Sequence, residues 1–125
     1  VNYSEMTRRY FEAAPNAGVL EGERSFRGSA GSAEAGTWVQ FDLRIIEGVV
    51  RDTRFLAFGC PHVIAVAAWI AEAAQGRALA AAMVGNPHDW RAAFEVPVEK
   101  LGRLLIVEDA WAAAIGGVQA SADTP

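Results

Sequence analysis

The chain holds one thiol, Cys60, and the run Gly59-Cys60-Pro61-His62 places an imidazole two residues after it. The thiolate is the reactive form of cysteine, and a helix N-terminus favours it through partial positive charge and free N–H groups. Pro61 suits the first position of a helix, so Cys60 stands where such an effect operates. His62 is either a tuning partner of the thiol or a satisfied structural histidine. The other histidine, His88 in Asn86-Pro87-His88-Asp89, reads as a surface residue, with Asp89 favourably charged for the first turn of a short helix. Glu108-Asp109 reads as a solvated helix face. The bland alternative for Cys60 is an inert core position, because free cysteine is among the most buried residue types.

Several chemistries are excluded by the inventory. One cysteine cannot form an internal disulfide, and a cytoplasmic setting is expected. One Cys and two His fall short of a classical zinc finger. No Gly-x-Ser-x-Gly, phosphate loop or dinucleotide fingerprint occurs. A net charge of −4 and an isoelectric point near 5.1 give no reason to expect nucleic acid or a membrane surface as partner. The opening Val1-Asn2-Tyr3-Ser4-Glu5 does not read as a signal peptide. The longest apolar stretch, 63–74, is too short to span a bilayer.

The elements that must position these residues follow from periodicity. With 52% hydrophobic residues in 125, one compact core is expected. Ser4 caps a first helix that Pro15 stops, with Met6, Tyr10 and Phe11 inward. Val19, Leu20 and Phe26 are candidates for a first strand, and the Gly- and Ser-rich stretch 28–36 for a mobile loop. Val39, Phe41, Leu43 and Ile45 alternate with polar residues, the period of a half-buried strand. Glu47-Gly48 reverses the chain into a second strand over 49–58. A helix over 61–75 is apolar almost all round, so it is central or lends a face to a partner. A short helix over 77–84, another capped by Asn86, and a last helix over 99–115 complete the order. Leu104, Leu105, Val107 and Trp111 are its core candidates, Gly116-Gly117 its stop. Trp69, Trp90 and Trp111 are anchors, and Trp38 fills volume near Cys60. Residues 1–117 form a single domain, and 118–125 a frayed tail.

Three landmarks resemble the N-terminal family of IscU and NifU iron–sulfur scaffolds, over residues 3–115. They are Tyr3-Ser4-Glu5 with Pro15-Asn16-Ala17-Gly18, the strand Arg54-Phe55-Leu56-Ala57-Phe58-Gly59-Cys60, and Lys100 with Glu108-Asp109-Ala110. The resemblance implies an α+β SufE/NifU-like (IscU-like) fold, a small antiparallel sheet of about three strands packed against helices. It also implies a metal site of three cysteines, an aspartate and a histidine. Here the first cysteine falls at Ala35, the aspartate at Thr37, and the histidine and third cysteine at Gly102 and Arg103. Only Cys60 is kept. The proline-rich chaperone-recognition segment is reduced to Val96-Pro97-Val98-Glu99-Lys100.

The ligand set is thus degenerate at Ala35, Thr37, Gly102 and Arg103. No cofactor is expected, and Cys60 and His62 are the residual metal candidates. An iron–sulfur cluster or zinc would need ligands from a second chain. The resemblance further implies that Arg103 comes close to Cys60, roughly where the metal would sit, and stabilises its thiolate. Three functions follow as expectations. The first is an accessory protein of cluster biogenesis, meeting a cysteine desulfurase, a chaperone or another scaffold. The second is a persulfide acceptor using Cys60, as in the SufE-type sulfur acceptors that work with one cysteine in a Gly-Cys context. The third is a scaffold with an intersubunit site in a homo-oligomer.

Overall fold

The structure, a computed structural model, describes residues 2–122, with side chains through Ala120. Ser4 starts the first helix, α1 (Glu5–Ala13), by accepting a hydrogen bond from the Thr7 amide at 3.0 Å. The Ser4 and Thr7 hydroxyls each donate to the Phe94 carbonyl at 2.9 Å, which ties this end of α1 to a later helix. Tyr10 is buried and Met6 packs against the core, but Phe11 is exposed. Neighbouring positions on a helix point about 100° apart, and the inward face here is taken by Thr7 and Tyr10.

Three strands form one antiparallel sheet in the order β1 (Ser25–Ser32), β2 (Thr37–Ile46), β3 (Val49–Phe58). Glu47 and Gly48 both take positive φ, 53° and 75°, as a two-residue hairpin turn between twisted strands demands. The stretch expected to be a loop is therefore largely strand. The reason lies in helix α4 (Leu101–Ala122), which crosses β1 and β2. A Cβ on Gly28 would lie 2.1 Å from the Ala114 nitrogen. The small residues are what allow a helix backbone to lie directly on the strand. Val19 and Leu20 precede β1 instead of joining it. The Leu20 amide donates to Asp42 Oδ2 at 2.9 Å on the outer sheet face, where Arg27 also grips Asp42 through two hydrogen bonds.

The inner sheet face carries Val39, Phe41 and Leu43, all fully buried, with Phe41 edge-on to Trp111 at 5.0 Å. Helix α2 (Pro61–Ala74) packs on β3 and on α1, and its buried residues lie on nearly every side. It is the central helix, so its apolar surface is consumed inside the molecule. The expected short helix over 77–84 is only a single 3₁₀ turn, Leu79–Ala81. Backbone groups there are committed elsewhere: Arg77 accepts from the Val50 amide at 2.8 Å, and the Leu79 amide donates to Gly48 at 2.9 Å. Helix α3 (Pro87–Phe94) is capped by Asn86, which accepts from the Asp89 amide at 3.0 Å. Two indoles hold the irregular stretch before it, Trp90 donating to the Val84 carbonyl and Trp111 to the Ala82 carbonyl, both at 2.9 Å.

In α4, Leu104, Val107 and Trp111 are buried while Leu105 is exposed, because the first three share one face. Gly116-Gly117 does not stop this helix. Ala114, Ile115 and Val118 pack into the core, and that burial outweighs a propensity cost of about 1 kcal/mol per glycine. Of the expected tail, Val118 and the residues to Ala122 are helical, and 123–125 lie outside the described residues. Among the described residues no helix is long and apolar enough to cross a membrane.

Candidate functional site

The site lies where β3 ends and α2 begins. Cys60 is the residue before the first turn of α2, in extended backbone, and is partly buried. Pro61 has no N–H to offer, so the next free amides are those of His62 and Val63, and both reach back toward the sulfur. The opening turn of α4 comes over the same spot and brings Arg103, an exposed residue, to the thiol as a further hydrogen-bond donor. Burial alone would raise the Cys60 thiol. The Val63 amide, the Arg103 guanidinium, the His62 amide and the charge on Lys100 act against it, and the thiol titrates below its ordinary value.

His62 is only 3% exposed. Its Nδ1 lies 3.3 Å from Lys100 Nζ, and its ring stands edge-on to Tyr3 at 4.8 Å. Burial first, then the charges of Lys100 and Arg103, push its pKa below the usual imidazole value. The ring is therefore neutral at pH 7, with Nδ1 placed to accept from the lysine. Lys100 stands out in the sequence only as a family landmark. No local pattern marks it as a neighbour of His62, since the two meet only when the start of α4 docks on the start of α2.

The remaining positions are spread around this centre. Thr37 is buried at the head of β2, paired with Ser32. Ala35 is exposed in the turn between β1 and β2, where its amide donates to Ser32 Oγ at 3.1 Å. That turn approaches the site through Gly36, whose carbonyl oxygen would lie 3.6 Å from a Cβ on Gly59. Gly102 is exposed, with open space where its side chain would be. His88 and Asp89 are exposed at the start of α3. Trp38 lies opposite both Gly31 and Phe58 on the outer sheet face. Leu56 and Phe58 are exposed beside it, so an apolar strip leads up to Gly59 and Cys60.

The donor set does not fit an iron–sulfur cluster or a tetrahedral metal. Either needs about four thiolate or imidazole ligands on one centre. Here one thiol is flanked by a guanidinium, and the nearby imidazole faces an ammonium group through Nδ1. Among the described residues, no three His, Cys, Asp or Glu side chains are grouped to hold a metal ion.

Comparison with known proteins places these observations. The profile of the NifU-like N-terminal domain matches residues 2–123. An iron–sulfur cluster assembly protein IscU of Plasmodium falciparum is 29% identical over 91% of this chain and 72% of its own length. The scaffold protein IscU of Escherichia coli K12 is 28% identical over 90% of this chain and 91% of its own. A nitrogen fixation protein NifU of Cereibacter sphaeroides is 42% identical over 62% of this chain, which is 31% of that protein. The fold is shared with the N-terminal NifU-like protein of Brucella abortus, at TM-score 0.69 and 15% identity over 94% of both chains. A candidate scaffold for the SUF system from Fervidobacterium islandicum AW-1 gives TM-score 0.72 at 14% identity, covering 90% of this chain and 96% of that one.

Proposed function

The chain belongs to the NifU-like N-terminal domain family, and from that premise we propose that it serves iron–sulfur cluster assembly as an accessory protein of the IscU/NifU scaffold type. The observation that carries this reading is a scaffold fold kept along almost the whole chain around a centre with one thiol and two cations. Such a centre is suited to meeting the assembly machinery and poorly suited to gripping iron. Its partners are a cysteine desulfurase, a chaperone or another scaffold, in the cytoplasm. The exposed strip of Leu56 and Phe58 beside Cys60 supports contact at this end of the molecule. Affinity capture with the wild-type chain as bait should recover a desulfurase or a scaffold. Recovery of no assembly protein would count against the reading, as would a coloured, cluster-bearing chain after anaerobic reconstitution.

A second reading is favoured by the donors around the sulfur: the chain accepts sulfur on Cys60. The Cys60 thiolate would attack the outer sulfur of a desulfurase persulfide. That sulfur–sulfur bond breaks, a new one forms on Cys60, and the desulfurase cysteine leaves as a thiolate. Two amides and Arg103 suit an anionic persulfide as they suit a thiolate. Incubation with a desulfurase and sulfur-labelled cysteine should label the wild type and spare Cys60→Ser. Equal label on both chains would end this reading.

A further inference from the structure

The two edges of the sheet differ. On β3 the backbone of Phe55 points away from β2, since its amide donates to the Asn16 carbonyl at 3.0 Å and its carbonyl accepts from the Gly18 amide at 2.9 Å. Farther back, Val50 donates to Arg77 at 2.8 Å and accepts from Gly76 at 2.7 Å, and the Thr53 amide donates to Gln75 Oε1 at 3.3 Å. That edge is covered from Val50 to Phe55. The opposite edge is β1. The Ile45 amide donates to the Arg24 carbonyl at 3.0 Å, so Arg24, Phe26, Gly28 and Ala30 turn their backbone groups to β2. Ser25, Arg27, Ser29 and Gly31 turn theirs outward, and among the described residues nothing bonds to these outward amides and carbonyls. Open edges template further pairing, and folded chains guard them with lysine, proline, a bulge or a cover. The eight residues of β1 include no lysine or proline, and its pairing has no register shift. Its one charge, Arg27, is drawn back over the sheet onto Asp42 at 2.8 and 3.0 Å.

We infer that the partner of this edge is a second copy of the same chain, whose β1 pairs antiparallel across a two-fold axis at Gly28. An antiparallel edge is its own complement, because the two-fold rotation sets each outward donor against an acceptor. Arg27 of each copy then faces Ser29 of the other, and the two residues exchange both hydrogen bonds. Ser25 faces Gly31 at the ends. This register keeps the two guanidinium groups from lying directly opposite, and each stays neutralised by its own Asp42. It also brings Arg24 of one copy toward Glu34 of the other. Both side chains are exposed, and among the described residues neither is in an ion pair within its own chain. Arg27, Ser29 and Gly31 are exposed as well. On the inner face α4 passes β1 with Ala113 and Ala114, whose side chains are too short to overhang the edge. The joined sheet has six strands with the two β3 strands outermost, about 24 Å apart at about 4.8 Å per strand. Each Cys60 centre stays open to its own partners, and the inference does not depend on what that thiol does. Pairing over so short an edge buries less than the about 1,600 Å² of a standard interface, so dimerisation is concentration-dependent.

The test uses the whole chain. Sedimentation velocity should show monomer at about 1 µM and mostly dimer at about 100 µM, the micromolar affinity of a small interface. Hydrogen exchange locates the contact. The Arg27 and Ser29 amides should exchange freely in the dilute chain and slow in the concentrated one, whereas those of Gly28 and Ala30, bonded to β2, should be protected in both. Ser29→Lys puts a charge on the edge, and Ser29→Pro removes an outward N–H that β2 does not use. Each should raise the dissociation constant about tenfold or more, with the thermal midpoint of the dilute chain nearly unchanged. Should the proline variant fail to fold, the lysine variant carries the comparison. A chain still monomeric at the higher concentration would overturn the inference. So would a dimer that leaves both amides unprotected, or one that the variants form as readily as wild type. Protection of these amides only on adding a cysteine desulfurase would give the edge to that protein and remove the second copy as its occupant.

Discussion

Cys60 and His62 both titrate below their ordinary values, which favours a charged thiolate at the first and a neutral ring at the second. For Cys60 the amides of Val63 and His62 and the cations outweigh burial, so the thiolate persists to lower pH than in an ordinary cysteine. The rate of alkylation against pH should rise with a midpoint below the usual thiol range. In Arg103→Gln that midpoint should move upward, since a donor and a charge are lost together. A midpoint unchanged by the substitution would show that the guanidinium does not act on the sulfur. For His62 the folded chain holds its proton less tightly than the unfolded chain, because the ring is buried and faces Lys100 and Arg103. The unfolded state thus binds more protons as pH falls through the ordinary imidazole range, and stability declines there. The urea midpoint should drop between about pH 7.5 and about pH 5.5, and drop less in His62→Gln. An equal drop in both would assign the acid sensitivity to other groups.

Among the elements, the contact between α4 and β1 makes the sharpest demand on the sequence. Replacing Gly28 by Val would drive a side chain into the backbone at Ala113 and Ala114. Chemical denaturation should show a loss of about 3 kcal/mol or more, the upper end for overpacking, because the obstruction is backbone that cannot swing aside. A loss below about 0.5 kcal/mol, typical of surface positions, would mean that α4 does not lie on β1 as described. The same contact explains what could be read in advance. The β2–β3 hairpin was legible because Val39, Phe41 and Leu43 alternate and Glu47-Gly48 suits its turn. Helices α1 and α3 were legible from Ser4, Pro15 and Asn86. Strand β1 was not, because Gly28, Ser29, Ala30, Gly31 and Ser32 have a loop's composition, and only a helix elsewhere in the chain explains them. Its second glycine, Gly31, takes a φ of 82°, and a Cβ there would lie 2.2 Å from the Thr37 carbonyl oxygen and 2.9 Å from Ile106 of the same helix. Glycine at 116 and 117 misled in the opposite direction, since local propensity lost to the burial of Ile115 and Val118. Cys60 was visible as the only sulfur nucleophile. Arg103 as its neighbour came from the family resemblance, and no spacing rule pairs the two.

For the molecule as a whole, the core depends on two indoles that also hold backbone. Trp111 fills the space against Phe41 and donates to Ala82, while Trp90 does the corresponding service for Val84. Trp111→Ala should therefore cost about 3–5 kcal/mol or prevent folding, the usual penalty for deleting a buried aromatic residue. Trp111→Phe keeps most of the volume and loses the donor, leaving the buried Ala82 carbonyl unpaired, so it should cost about 1–3 kcal/mol. Thermal unfolding of the two variants measures both figures, and a Trp111→Phe chain as stable as wild type would show that the hydrogen bond contributes nothing.

Cys60 opens one helix and Arg103 lies in the opening turn of another, so the sulfur's acidity is in part a property of their mutual seating. The thiol is thereby a gauge built into the chain: when the front of α4 lifts, it loses what Arg103 and Lys100 contribute and keeps only the support of the Val63 and His62 amides, even while the sheet stays intact. Alkylation at neutral pH, followed through mild denaturant, should slow at the point where that seating gives way. Comparing that point with the loss of tryptophan fluorescence change would tell a local detachment from a collapse of the entire fold.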